Sequence, residues 1–131
     1  MTDKLKKPIQ ILLIGHYSIV HYGLEMLINK QKPRMEVIGN FPNCSNILPV
    51  LEKLSPDVIL LGMNLNSEKE LEIILQLIVL SKANVLILKW SQDSKIYDKA
   101  ILAGAKGIIE KEAPLDTILK AIEKVYEGEL W

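Results

Sequence analysis

The chain has one cysteine, Cys44, among its 131 residues. No internal disulfide can form, which fits a reducing compartment. A single thiol cannot anchor a metal cluster. The two histidines, His16 and His21, lie five apart, and a zinc site is not expected. An excess of one charge is missing too. Lys plus Arg number 16 and Asp plus Glu number 16, giving a formal net charge of zero. That balance supplies no global attraction to nucleic acid or acidic lipid, and direct DNA contact by these residues is not expected. Long apolar runs are absent. The run at 9–14 is broken by Gln10 and is too short for a signal-peptide core, and the stretch near 73–80 is far below a membrane span. A cytoplasmic protein without membrane contact is expected. Repeats, linkers and low-complexity tracts are missing. So are a Ser-His-Asp arrangement, a Gly-rich phosphate loop and paired carboxylates, so no enzyme is expected.

What is present suits one domain spanning residues 1–131. Hydrophobic residues make up 49% of the chain, enough for a core, and charged residues make up 24%. Five short apolar runs alternate with longer amphipathic ones. The spacing predicts strands at 9–14, 35–41, 57–61, 85–88 and 107–109, and helices at 18–30, 47–54, 68–80 and 93–103. Gly104 reads as a helix C-cap. A fifth helix starts near Pro114 and stops near Gly128. Pro49 falls inside the second helix pattern, where a missing N–H would break the ladder. A late start, with Ser45 or Asn46 as N-cap, places Pro49 in the first turn and makes that helix short. Strand–helix alternation argues for an α/β fold, a parallel sheet with helices on both faces, and the central strands are continuously apolar as such burial requires. The expected architecture is a flavodoxin-like doubly wound (βα)5 sheet of strand order 2-1-3-4-5. Its binding crevice lies at the carboxyl ends of strands one and three, here Ile14-Gly15-His16 and Leu61-Gly62.

Several stretches, in this order, resemble the receiver domain of bacterial response regulators. They are Ile19-Val20-His21-Tyr22-Gly23-Leu24, Glu36-Val37-Ile38-Gly39, Pro56-Asp57-Val58-Ile59-Leu60-Leu61 with Asn64, and Ala103-Gly104-Ala105-Lys106-Gly107 followed by Lys111. The ending Glu127-Gly128-Glu129-Leu130-Trp131 is similar to a junction where an interdomain linker begins. The likeness is nearest to receivers that precede a LuxR-type helix-turn-helix output domain, and such a DNA-binding domain would lie beyond residue 131. The resemblance implies two-component signalling and transcription regulation. It also implies an aspartate that accepts phosphate at the end of strand three, where this chain has Gly62. Residues 63–67 contain no Asp or Glu, so no small shift of register restores it. The acidic pair that helps hold magnesium matches Gly15 and His16, which makes a magnesium site unexpected. The switch Thr or Ser matches Lys89, and the switch aromatic matches Ile108. Lys111 alone keeps the family's identity. The resemblance thus implies an atypical receiver that takes no phosphate and no cofactor.

Lys89 and Lys111 would flank one crevice without the usual acids. Two ammonium groups a few ångströms apart repel by about 4 kcal/mol at an effective dielectric of about 20. The favoured outcome is one lysine swinging out to solvent. A local acid such as Glu110 or Glu112 could pair instead, or the crevice could hold an anion. The expected crevice is narrower or lysine-filled. The expected function is dimerisation or docking of a protein partner, with a homodimer in view. The alternative is a sensor of a small anion or metabolite bound by Lys89 and Lys111. Similar domains pair through the fourth helix, fifth strand and fifth helix, or through the first and fifth helices. The third helix offers two apolar stripes. Leu71, Ile74, Leu75 and Ile78 form one, and Ile73, Leu77 and Leu80 form the other, with Val79 between them. They imply either deep burial or a self-association patch.

Overall fold

A computed structural model of the chain describes residues 7–15, 19–43, 47–62, 68–89 and 94–131. Ten elements alternate along it. They are β1 (Ile9–Gly15), α1 (Ile19–Asn29), β2 (Met35–Phe41), α2 (Ile47–Leu54), β3 (Val58–Gly62), α3 (Glu68–Leu80), β4 (Asn84–Lys89), α4 (Ser94–Ala103), β5 (Gly107–Glu110) and α5 (Leu115–Tyr126). The strands form one parallel sheet in the order β2-β1-β3-β4-β5, the flavodoxin-like order.

Alternation along each strand divides the interior in two. Ile11 and Leu13 of β1, Val58 and Leu60 of β3, and Leu86 and Leu88 of β4 face α1 and α5. Their neighbours Leu12, Ile14, Ile59, Leu61, Val85 and Ile87 face α2, α3 and α4. All of these are buried. The period of two puts successive side chains on opposite faces, and helices cover both faces, so the strands read as unbroken apolar runs. Leu24 and Ile28 bring α1 onto the first core. Ile118, Leu119, Ile122 and Val125, with Leu115 partly buried, bring α5 to the same core.

Helix ends follow local chemistry. At the end of α4, Gly104 has φ +122, its N–H donates to the Ile101 carbonyl at 3.0 Å, and that of Ala105 donates to Ala100 at 3.1 Å. The end of α5 repeats the motif, with Gly128 at φ +93 donating to Val125 and Glu129 donating to Lys124, both at 3.0 Å. Both are Schellman turns, whose left-handed residue glycine adopts without a Cβ penalty. α2 has eight residues with Pro49 in its first turn, as the proline requires. Ser45 and Asn46, its expected caps, lie outside the described residues.

The third helix departs from the two-stripe expectation. Leu71, Ile74, Leu77 and Ile78 are buried, whereas Ile73 and Leu75 are half-buried. Val79 and Leu80 are 68% and 65% exposed. One face of a helix lying on a sheet receives about a hundred degrees of contact, so Leu77 joins the first stripe and Leu80 is left out.

Asp57 precedes β3 at the amino-terminal edge of the sheet, opposite the crevice. Its Oδ2 accepts the Gln10 N–H at 2.8 Å, while its own N–H donates to the Gln10 carbonyl at 2.8 Å. The pair ties the start of β1 to β3. Asp57→Ala strips a part-buried N–H of its acceptor and is expected to cost about 1–3 kcal/mol in denaturant unfolding. An unchanged midpoint and slope would contradict that role.

Candidate functional site

Parallel sheets of this kind present their crevice at the carboxyl ends of the strands, where the strand order reverses. Here the reversal falls between β1 and β3. Their last residues, Gly15 and Gly62, are register partners. Both strands run one residue further than the apolar pattern suggests, because the backbone ladder continues through the glycines. β4 and β5 likewise extend to the register pair Lys89 and Glu110. The Lys111 N–H then donates to the Lys89 carbonyl at 3.3 Å. Tertiary structure therefore brings Gly15, Gly62, Lys89 and Lys111 to one edge. His16 and Cys44 lie outside the described residues.

The space beside Gly15 is filled. A Cβ added there would stand 2.5 Å from both Cε1 and Nε2 of His21 and 2.6 Å from the Gly62 carbonyl oxygen. His21 sits on the inward face of α1, in helical register with Leu24 and Ile28, and is 2% exposed. Its Nε2 lies 3.1 Å from the Ile14 carbonyl. A carbonyl only accepts, so that nitrogen carries the proton. The expected crevice is narrower or lysine-filled; beside Gly15 the space is taken by the His21 imidazole. From the sequence, His21 belongs to the start of the first helix and makes no zinc site, and it is not counted there as a core residue. The available signal was its place in the core register of an amphipathic helix, which predicts a buried ring but not its target.

A magnesium ion, which this fold's crevice holds in the family the sequence resembles, requires hard oxygen donors. Gly15 and Gly62 offer no side-chain oxygen, and the His21 ring occupies the space where one at position 15 would stand. These residues do not fit the ion. Among the described residues no group of three His, Cys, Asp or Glu could hold a metal.

The two lysines each find a neighbouring acid. Lys89 Nζ is 3.8 Å from Glu110 Oε1, and Lys111 Nζ is 3.9 Å from Glu112 Oε1. The carboxylates are 60% and 70% exposed, so solvent screens both pairs and each contributes little. Local pairing replaces the favoured picture of one lysine free in solvent, because the β4–β5 register sets Glu110 opposite Lys89. Lys89 is held on a second side, its Nζ lying 5.7 Å from the centroid of the buried Tyr97 ring of α4. That distance is within cation–π range. Ile108 is half-buried and packs with Tyr97 in the second core.

A cavity of about 810 Å³ opens at the opposite edge, lined by Leu48, Leu51, Pro56, Asp57, Leu80 and Tyr126 among others. It lies away from the crevice, and Asp57 is already engaged with Gln10. No helix among the described residues is long and apolar enough to cross a membrane.

No family model matches the chain. It is 27% identical over 124 residues to the transcriptional regulatory protein DegU of Brevibacillus brevis, covering 94% of this chain and 52% of that protein. It is 30% identical over 131 residues to a nitrate/nitrite response regulator homologue of Haemophilus influenzae, covering 99% of this chain and 61% of that one. The chain therefore spans between half and two thirds of the length of these relatives. Among solved structures, the signal receiver domain of a NarL response regulator from Mycobacterium tuberculosis superposes with a TM-score of 0.80 at 17% identity, covering 95% of this chain and all of that one.

Gly15 and His21 are sterically matched. Gly15→Ala forces a methyl group against the buried ring and the Gly62 carbonyl. The expected cost is about 1–3 kcal/mol by chemical denaturation. His21→Ala in the same chain removes the ring contact and is expected to reduce the cost of Gly15→Ala. Equal costs in both backgrounds would refute the match.

Proposed function

We propose that this response-regulator receiver domain, whose relatives are LuxR-family regulators of transcription, works in two-component signalling without a phosphoryl group at its crevice. It acts as a protein-interaction module that pairs with a second copy or docks a protein partner. The observation that carries the reading is the His21 imidazole seated against Gly15 at the mouth of the sheet. In this reading Gly62 is the degenerate phosphoacceptor position, and Gly15 and His16 are the degenerate acidic pair. Lys89 and Ile108 are the altered switch positions, and Lys111 is the retained lysine.

The chemistry behind it is simple. Acyl phosphate formation needs a carboxylate nucleophile and a cation to draw charge off the phosphoryl oxygens. Glycine supplies no nucleophile, and a buried ring supplies no cation site. With no phosphate to move them, Lys89, Tyr97 and Glu110 hold the ends of β4, α4 and β5 in one arrangement. Any regulation then enters through a partner that prefers one conformation. An anion sensor at Lys89 and Lys111 has less support, since both ammonium groups already have a carboxylate within 4 Å. An output domain beyond residue 131 belongs to the proposal, given how much longer the relatives are.

Two faces offer apolar groups for pairing. Tyr22 and Met26 stand one turn apart on α1, 58% and 56% exposed, and Ile101 and Leu102 on α4 are 40% and 88% exposed. Light scattering is expected to give the mass of two chains. Paired glutamate substitutions on the face that dimerises (Tyr22→Glu with Met26→Glu, or Ile101→Glu with Leu102→Glu) reduce it to one. A wild-type chain that stays monomeric at high concentration would remove self-pairing and leave partner docking.

The phosphate-free reading is tested with a small-molecule phosphodonor and millimolar magnesium. Intact mass is expected to show no phosphoryl adduct, and magnesium alone is expected to leave the Tm unchanged. A stable adduct, or a rise of several degrees with magnesium, overturns it.

A further inference from the structure

The chain turns back after α5. Beyond the Schellman turn, the Glu129 carboxylate stands 3.3 Å from the Lys124 ammonium. That hydrogen bond, helped by the charges of Glu129 and Glu127, holds the Lys124 ammonium above its ordinary pKa. Two residues later the Trp131 N–H donates to the Lys106 carbonyl at 2.9 Å. Lys106 immediately precedes β5, the edge strand of the sheet. Leu130 is 76% exposed and Trp131 only 41%, so the last residue turns inward while the one before it faces solvent.

Gly107 makes this approach possible. A Cβ there would stand 2.7 Å from Trp131 Cβ, 3.2 Å from Trp131 Cα and 3.2 Å from Leu86 Cδ1. Unlike Gly104 and Gly128, Gly107 does not have a positive φ. Its backbone is open to any residue, so the demand for glycine is one of space and not of dihedral angle.

We propose that the start of β5 is a docking notch for the segment that follows α5. Gly107 supplies the gap, the Lys106 carbonyl supplies the hydrogen bond, and residues 129–131 form a strap across the open edge of the sheet. The occupant is the chain's own segment, already tied at its other end by Lys124 and Glu129. An edge strand carries unpaired backbone groups and is a template for strand addition. The strap covers the beginning of that edge and sets the direction in which the chain leaves the body of the domain. Neither role depends on whether the crevice takes phosphate.

Gly107→Ala in the full chain tests this. Amide exchange at Trp131 is expected to rise by about tenfold or more, while exchange in the buried α5 core, at Ile122, stays unchanged. Leu86 also lies near the added methyl group, so a second measurement separates local crowding from loss of the strap. The loss of stability on Gly107→Ala is expected to shrink when Trp131→Gly is also present. Unaltered Trp131 exchange in Gly107→Ala, or the same loss with and without Trp131→Gly, overturns the notch.

Discussion

Burial on both faces of five parallel strands is the constraint from which the rest follows. Each central strand must be apolar on successive residues, since no position looks onto water. β1, β3 and β4 meet that demand, and their alternating side chains build two separate cores. Helices on each face then bring their own stripes. Polar function is pushed to the ends of the strands, where coverage stops. The crevice edge and the β5 edge both owe their positions to this arrangement.

Close backbone approach settles the character of both edges. At the crevice, Gly15 and Gly62 end adjacent strands, and the His21 ring takes the room beside Gly15. At the start of β5, Gly107 leaves room that Trp131 takes. At Gly15 the missing Cβ is matched by the ring of His21, six residues on, and at Gly107 by the Cα and Cβ of Trp131. Neither glycine is there for a turn. Interiors pack to the density of organic crystals, so a gap of this size is filled by something. In this domain the fillers are His21 of α1 and Trp131 of the segment after α5.

Charge has a smaller part. Lys89 and Lys111 share one edge of the sheet. Register sets Glu110 opposite Lys89, and the ammonium of the same lysine lies 5.7 Å from the centroid of the Tyr97 ring. Exposed pairs near 4 Å contribute little to folding.

The sequence by itself determined the element order, the strand order 2-1-3-4-5 and the two glycines at the crevice. The element order follows from periodicity and the glycines from residue identity, both local properties of the chain, while the strand order follows from the flavodoxin-like architecture that the alternation implies. Pro49 even announced the short second helix. Only the tertiary structure decided that His21 plugs the space beside Gly15, that Lys89 pairs with Glu110, and that Trp131 lies over Gly107. It also decided which apolar residues of α3 are buried, moving Leu77 inward and Leu80 outward. The reason is physical: such contacts join residues from six to more than twenty positions apart, through packing that no local pattern encodes.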